Sequence, residues 1–117
     1  MPDRYEVRIN GIPSGLTVIA AVSFRQRLRG FIGGTPAYEG ILFPSCRAVH
    51  TFFMSFPLDI IFLSDNGRVT RVNRVIKPGK FVGPVPEAVS TLEIPSATNS
   101  FTDLSAGDRL SFFKIHS

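Results

Sequence analysis

One cysteine, no tryptophan, and no apolar stretch of the roughly 20 residues that a spanning helix requires set the first limits on this 117-residue chain. With the single thiol of Cys46 no intramolecular disulfide can form, so the fold stands on packing alone and shows no adaptation to an oxidising compartment. Even the most apolar run, 58–63, is interrupted by Asp59. The first residues carry acids and alternate in polarity, without the basic-then-apolar order of a secretory signal. The chain therefore reads as cytoplasmic as it stands, or as exported if a leader was trimmed from it. Also missing are a glycine-rich phosphate loop, paired cysteines spaced for zinc, a Gly-x-Ser-x-Gly elbow and an RNA-stacking motif. Most standard enzyme classes lose their support, and no nucleic-acid motif is left.

What is present is a globular balance: 44% apolar residues, 19% charged, and eleven phenylalanines to supply the large core side chains. The length suits one domain, 1–117, and is too short for two independent cores. Thirteen Lys and Arg against nine Asp and Glu give a charge of +4, which favours anionic neighbours without identifying nucleic acid.

Along the chain, Tyr5, Val7 and Ile9 alternate with Glu6 and Arg8, the period of a half-buried strand. A turn at 11–15 and a β-branched run at 16–22 make its hairpin partner. Ser23 with Gln26 forms a capping-box pattern, and Phe24, Leu28 and Phe31 recur at helical spacing, predicting one main helix over about 23–32 that Gly33-Gly34 and Pro36 end. Short strands are predicted at 40–43 and 49–53, and a stronger one at 58–63. Asp65-Asn66-Gly67 then turns the chain into 68–77, a strand whose arginines recur every third residue and so imply a bulge. Three prolines and two glycines make 77–86 an exposed loop able to cover a pocket. Strands at 89–94 and 110–115 close the chain, joined by a polar segment with room for one short helical turn. The predicted fold is α+β but β-rich: a small, mostly antiparallel curled sheet or barrel-like domain with that one helix.

Chemistry concentrates between Cys46 and Asp59. Cys46, His50 and Met54 are spaced four apart and are the ligand types that copper or zinc selects, but a copper site needs a second histidine and the other one is His116, near the chain end. The simpler reading takes Cys46 as a buried small hydrophobe and Met54 as a gap-filler among Phe52, Phe53 and Phe56, with no cofactor. A catalytic reading would make Cys46 a thiolate activated by His50 or Arg47, with Asp59 orienting the imidazole. Asp59 is the most informative residue, because apolar Leu58, Ile60, Ile61 and Phe62 surround it and a carboxylate there must find partners. Those expected are Arg27, His50, or backbone N–H groups near Pro57. Glu93, between Leu92 and Ile94, reads as an outward strand residue, with an arginine in a shared cleft as the alternative. Arginines at 25, 27 and 29 and at 68, 71 and 74 make either a solvated face or a binding site for an anion.

Several segments, taken in order, resemble one family. They are Arg27-Leu28-Arg29-Gly30, Gly40-Ile41-Leu42-Phe43, Val49-His50-Thr51-Phe52-Phe53-Met54, Pro57-Leu58-Asp59-Ile60-Ile61-Phe62, Asp65-Asn66-Gly67-Arg68-Val69 and Leu92-Glu93-Ile94. From about 20 to 110 they are similar to the domain-of-unknown-function 192 family, in a branch with His-Thr-Phe before the methionine. Phe31-Ile32 and Pro95-Ser96-Ala97 depart from the family's usual Leu-Met and glycine. The resemblance implies a compact β-rich bacterial or archaeal domain, often exported, with no established activity. The reading that follows is a noncatalytic module binding an anionic small molecule or a protein in a cleft around 46–59, roofed by the Pro-rich loop. Its expected contact residues are Arg27, Arg29, Met54, Asp59 and Glu93. The alternatives are an enzyme using Cys46, His50 and Asp59, or copper or zinc handling through Cys46, His50 and Met54.

Overall fold

A computed structural model describes residues 3–21, 39–52, 54–101 and 103–116. The first hairpin pairs β1 (Arg4–Ile9) with β2 (Ile12–Ala20) across Asn10-Gly11, both at positive φ. That is the Asn-Gly signal of a two-residue loop, so the turn lies at 10–11 rather than at 11–15. The register of β1 against β2 shifts between Glu6 and Arg8, where Ser14 donates to the carbonyl of Val7.

β3 (Gly40–Phe43) runs parallel to β2, and the other ladders are antiparallel. β4 (Val49–His50) pairs with β7 (Phe81–Val82) in a small ribbon, which places a short strand inside the loop predicted at 77–86. β5 (Leu58–Leu63), β6 (Val69–Ile76), β8 (Ser90–Pro95) and β9 (Leu110–Lys114) join β1, β2 and β3 in a sheet of order β6-β5-β8-β3-β2-β1-β9. Gly40 lets β3 and β8 meet closely, since a Cβ there would lie 2.9 Å from the Glu93 carbonyl oxygen.

Alternation along the strands divides two cores. Ile19, Ile41, Phe43, Leu58, Ile60 and Phe62 face one side, covered by Val49, Met54, Val82, Val85 and Ala88 from the ribbon and its loops. Val7, Val18, Ile61, Leu63, Val69, Leu92, Ile94 and Leu110 face the other, with Leu104. Because β5 is paired on both edges and covered on both faces, all six of its residues are buried, Asp59 included.

Two parts of the expected architecture are corrected. Among the described residues the only helical element is the 3₁₀ turn at Ser96–Thr98, so the fold is a β-sheet fold without a main helix there; the segment predicted as helix, 23–32, lies outside the described residues. The curled sheet does not close into a barrel either. Its edge strands β6 and β9 are not paired as neighbours in the sheet, and beside their ends Arg68 and Arg109 form one isolated bridge. No described helix is long and apolar enough to cross a membrane.

Candidate functional site

Asp59 stands opposite Ile94 and projects, with Ile61 and Leu63, toward the second core. Only 5% exposed, it is fully engaged: Oδ1 accepts from the Val75 backbone N–H at 2.8 Å and the Ser96 hydroxyl at 2.7 Å, and Oδ2 accepts from the Asn99 amide at 2.7 Å. The Arg74 guanidinium lies 3.9 Å from Oδ2 and donates to the carbonyls of Leu104 and Phe101. Burial pushes the Asp59 pKa up, but hydrogen bonds from Asn99, Val75 and Ser96 and the charge of Arg74 together outweigh it and hold the carboxyl below its ordinary range. Val75 has a φ of 54°, an unusual conformation for a β-branched residue, and the carboxylate takes up the N–H turned inward there. One side chain thus ties the end of β6 to the turn after β8. None of these described partners is among those expected from sequence, although Ser96 itself donates from its N–H to the Pro57 carbonyl; Arg27, also expected, lies outside the described residues.

Cys46, His50 and Met54 lie on the opposite side of the sheet, with the first core. Met54 is buried in it, and Cys46 packs partly buried against it while its thiol donates to the Ala48 carbonyl at 3.0 Å. His50 pairs with Phe81 across the ribbon and stacks on Phe52, ring centroids 4.9 Å apart. The sheet therefore separates Asp59 from Cys46, and the three candidate catalytic groups do not meet. Among the described residues no group of three His, Cys, Asp or Glu is placed to hold a metal ion.

Glu93 is not an outward residue. It is 0% exposed and sits directly across from Ile41 on one side and Ile60 on the other, because β8 is a central strand covered on both faces. Neither Glu93 nor His50 is without a partner. Arg25, Arg27 and Arg29 lie outside the described residues. Arg68, Arg71 and Arg74 do not converge: Arg68 bridges to Arg109, Arg71 lines a cleft, and Arg74 turns to Asp59, since the register of β6 on β5 shifts at both ends.

That cleft, about 540 Å³, opens between β6 and the 77–84 loop. Among the described residues its charged lining consists of Arg71, Lys77 and Lys80, with no acid, and Val75 and Phe81 supply apolar surface at 58% and 63% exposure. No described residue of 46–59 lines it, so the cleft is displaced from where sequence placed it, although the Pro-rich loop does form one wall. The segment 46–59 acts from behind, through Thr51. This residue is 0% exposed; its hydroxyl donates to the Lys77 carbonyl at 2.7 Å and accepts from the Lys80 N–H at 2.9 Å. Its own N–H and carbonyl bind Lys80 and Gly79. Sequence reading passed over Thr51; the available signal was a hydroxyl just before the apolar run Phe52-Phe53-Met54, where a polar group must be satisfied.

The chain matches the family model DUF192, described as an uncharacterized ACR, over residues 5–112. A crystal structure from Sinorhizobium meliloti 1021, provisionally described as a transcription regulator, is similar at 25% identity and a TM-score of 0.72, covering 95% of each chain. A protein of unknown function from Novosphingobium aromaticivorans DSM 12444 shares the fold at 17% identity and a TM-score of 0.65, covering 93% of this chain and 83% of that one. No curated protein matches.

Proposed function

We propose that this chain, which belongs to domain-of-unknown-function family 192, is a noncatalytic module that binds an anionic small molecule with an apolar part in the cleft between β6 and the 77–84 loop. The observation that carries the reading is the lining itself: among the described residues, three cations without an acid, beside exposed Val75 and Phe81. Cationic side chains fix an anionic head, and the apolar wall buries the rest of the ligand. An enzymatic reading has less to draw on, because the Cys46 thiol is spent on a backbone carbonyl and Asp59 on holding β6.

Titration with 8-anilinonaphthalene-1-sulfonate, a fluorescent anion with an apolar body, tests the proposal. Saturable enhancement is expected from the folded protein, with affinity reduced at least about tenfold in the double variant Lys77→Ala, Lys80→Ala, equivalent to about 1.4 kcal/mol. Near-ultraviolet circular dichroism confirms that both proteins are folded. Equal affinity in the two would reject the cleft as the site.

A further inference from the structure

A second feature lies away from the cleft, where the two edges of the sheet touch. Arg68 and Arg109 are directly opposed in an antiparallel bridge. The flanking bonds, Val69 N–H to the Asp108 carbonyl at 2.7 Å and Leu110 N–H to the Gly67 carbonyl at 2.9 Å, make this a pair without hydrogen bonds of its own. In such pairs the Cα atoms approach to about 4.5 Å and the side chains rise together from one face. Here that face is the outer one, because neighbouring Val69 and Leu110 both enter the second core. Two like charges so placed repel each other, and the backbone holds them there.

A third guanidinium stands on the same face. Ser111, two residues along β9 from Arg109, is opposite Arg8 of β1. The Arg8 guanidinium carbon sits 4.2 Å from the Phe113 ring centroid, and its Nε is buried without a hydrogen-bond partner. Among the described residues none of Arg8, Arg68 and Arg109 has a carboxylate within ion-pair distance. Two acids are near in the chain. Glu6 projects from the same face of β1, two residues before Arg8, and the oxygens of Asp108 already accept from Asn10 and from the Ser105 N–H. Arg68, Arg109 and Ser111, with Asn10, Gly11 and Gly107, line an open recess of about 560 Å³.

The geometry points to a phosphate-binding site on this outer face, with the guanidinium groups of Arg68 and Arg109 as a fork on either side of the anion, the Ser111 hydroxyl as a further donor, and Arg8 as the flanking charge. A phosphate group has enough oxygens to be shared by several guanidinium forks, and its charge reverses the repulsion within the pair.

Nuclear magnetic resonance of the arginine Nε–H groups in the full chain tests this, with inorganic phosphate titrated against sodium chloride at constant ionic strength. Saturable shifts at Arg68 and Arg109 are expected, with affinity falling at least tenfold in Arg109→Ala and again in Arg68→Lys, which keeps the charge and loses the fork. Ser111→Ala provides a milder second variant if Arg109→Ala does not fold, with a smaller loss expected. The variant Lys77→Ala, Lys80→Ala should bind phosphate as before, which separates this site from the cleft. A parallel titration with a short DNA duplex distinguishes the source of the phosphate. Binding of the duplex through the same arginines assigns it to a polynucleotide backbone, and binding of free phosphate alone assigns it to a small molecule. Shifts no larger than those chloride causes, or unchanged by the arginine and serine substitutions, overturn the proposal.

Discussion

Replacing Asp59 by asparagine keeps the shape of the side chain and removes its charge from a place where four groups converge on it. The new side-chain oxygen can still accept from Val75 and Ser96, but its NH₂ would then confront the Asn99 amide, which now donates to Oδ2 at 2.7 Å. Two donors facing each other in a buried site leave both unsatisfied, and Arg74 loses its counter-charge. Hydrogen bonds to a charged group contribute about 1.5–3 kcal/mol each and are not additive, so the expected loss for Asp59→Asn is about 3 kcal/mol. Urea denaturation at neutral pH measures it, with an unchanged slope because the same surface is exposed on unfolding. The acid limb provides a second reading. As the folded pKa of Asp59 lies below its ordinary 3.8, the unfolded chain binds a proton between those two values that the folded chain does not. Its stabilising contribution is complete above the unfolded value and disappears as the pH falls through the folded one. Asp108, lowered by hydrogen bonds from the Ser105 N–H and the Asn10 amide, acts in the same direction, so Asp59→Asn should flatten the acid limb in part and not abolish it. A loss within about 0.5 kcal/mol, the usual range for surface substitutions, or an unaltered acid limb would refute the assignment of Asp59 as the tie between β6 and the turn after β8.

Three further substitutions or reactions probe the rest of the frame. Thr51→Val removes the hydroxyl that holds Lys77 and Lys80 and leaves their backbone groups unpaired; a loss of about 1–3 kcal/mol is expected, with faster amide hydrogen exchange at Lys80. Exchange as slow as in the parent would mean that the loop is held by other contacts. Gly40→Ala should cost about 1–3 kcal/mol by forcing β3 and β8 apart against the Glu93 carbonyl, seen as a lowered melting temperature; no change would show that the ladder yields freely there. The Cys46 thiol, partly buried and donating to Ala48, should react with iodoacetamide far more slowly in native protein than in urea, whereas equal rates would reopen the nucleophile reading.

How far the sequence carried the reading depended on whether a signal was local. The largely apolar run of β5 and the bulged strand after Asp65-Asn66-Gly67 are written in adjacent residues and the sheet follows them closely, whereas the first turn falls at Asn10-Gly11 and not at 11–15. Glu93 was misplaced because alternation reports a strand with one wet face, and β8 has none: pairing with β3 and β5 and cover on both faces are set by topology, which no local pattern encodes. The described partners of Asp59 were missed for a related reason. Ser96 and Asn99 reach it from 37 and 40 residues away, and Val75 contributes a backbone group that its side-chain identity does not advertise. What could be read locally was the requirement, a carboxylate among apolar neighbours that must be satisfied; what could not be read was who satisfies it. The same distinction separates the two arginine groups. Spacing alone grouped Arg68, Arg71 and Arg74, yet the bulges of β6 send them to three different places, and the arginine that does meet Arg68 is Arg109, which no periodicity connects to it. The meeting of Arg68 with Arg109 is therefore a property of the sheet's two edges, and a substitution that altered the β6 bulge should disturb the arginine pair without touching either member.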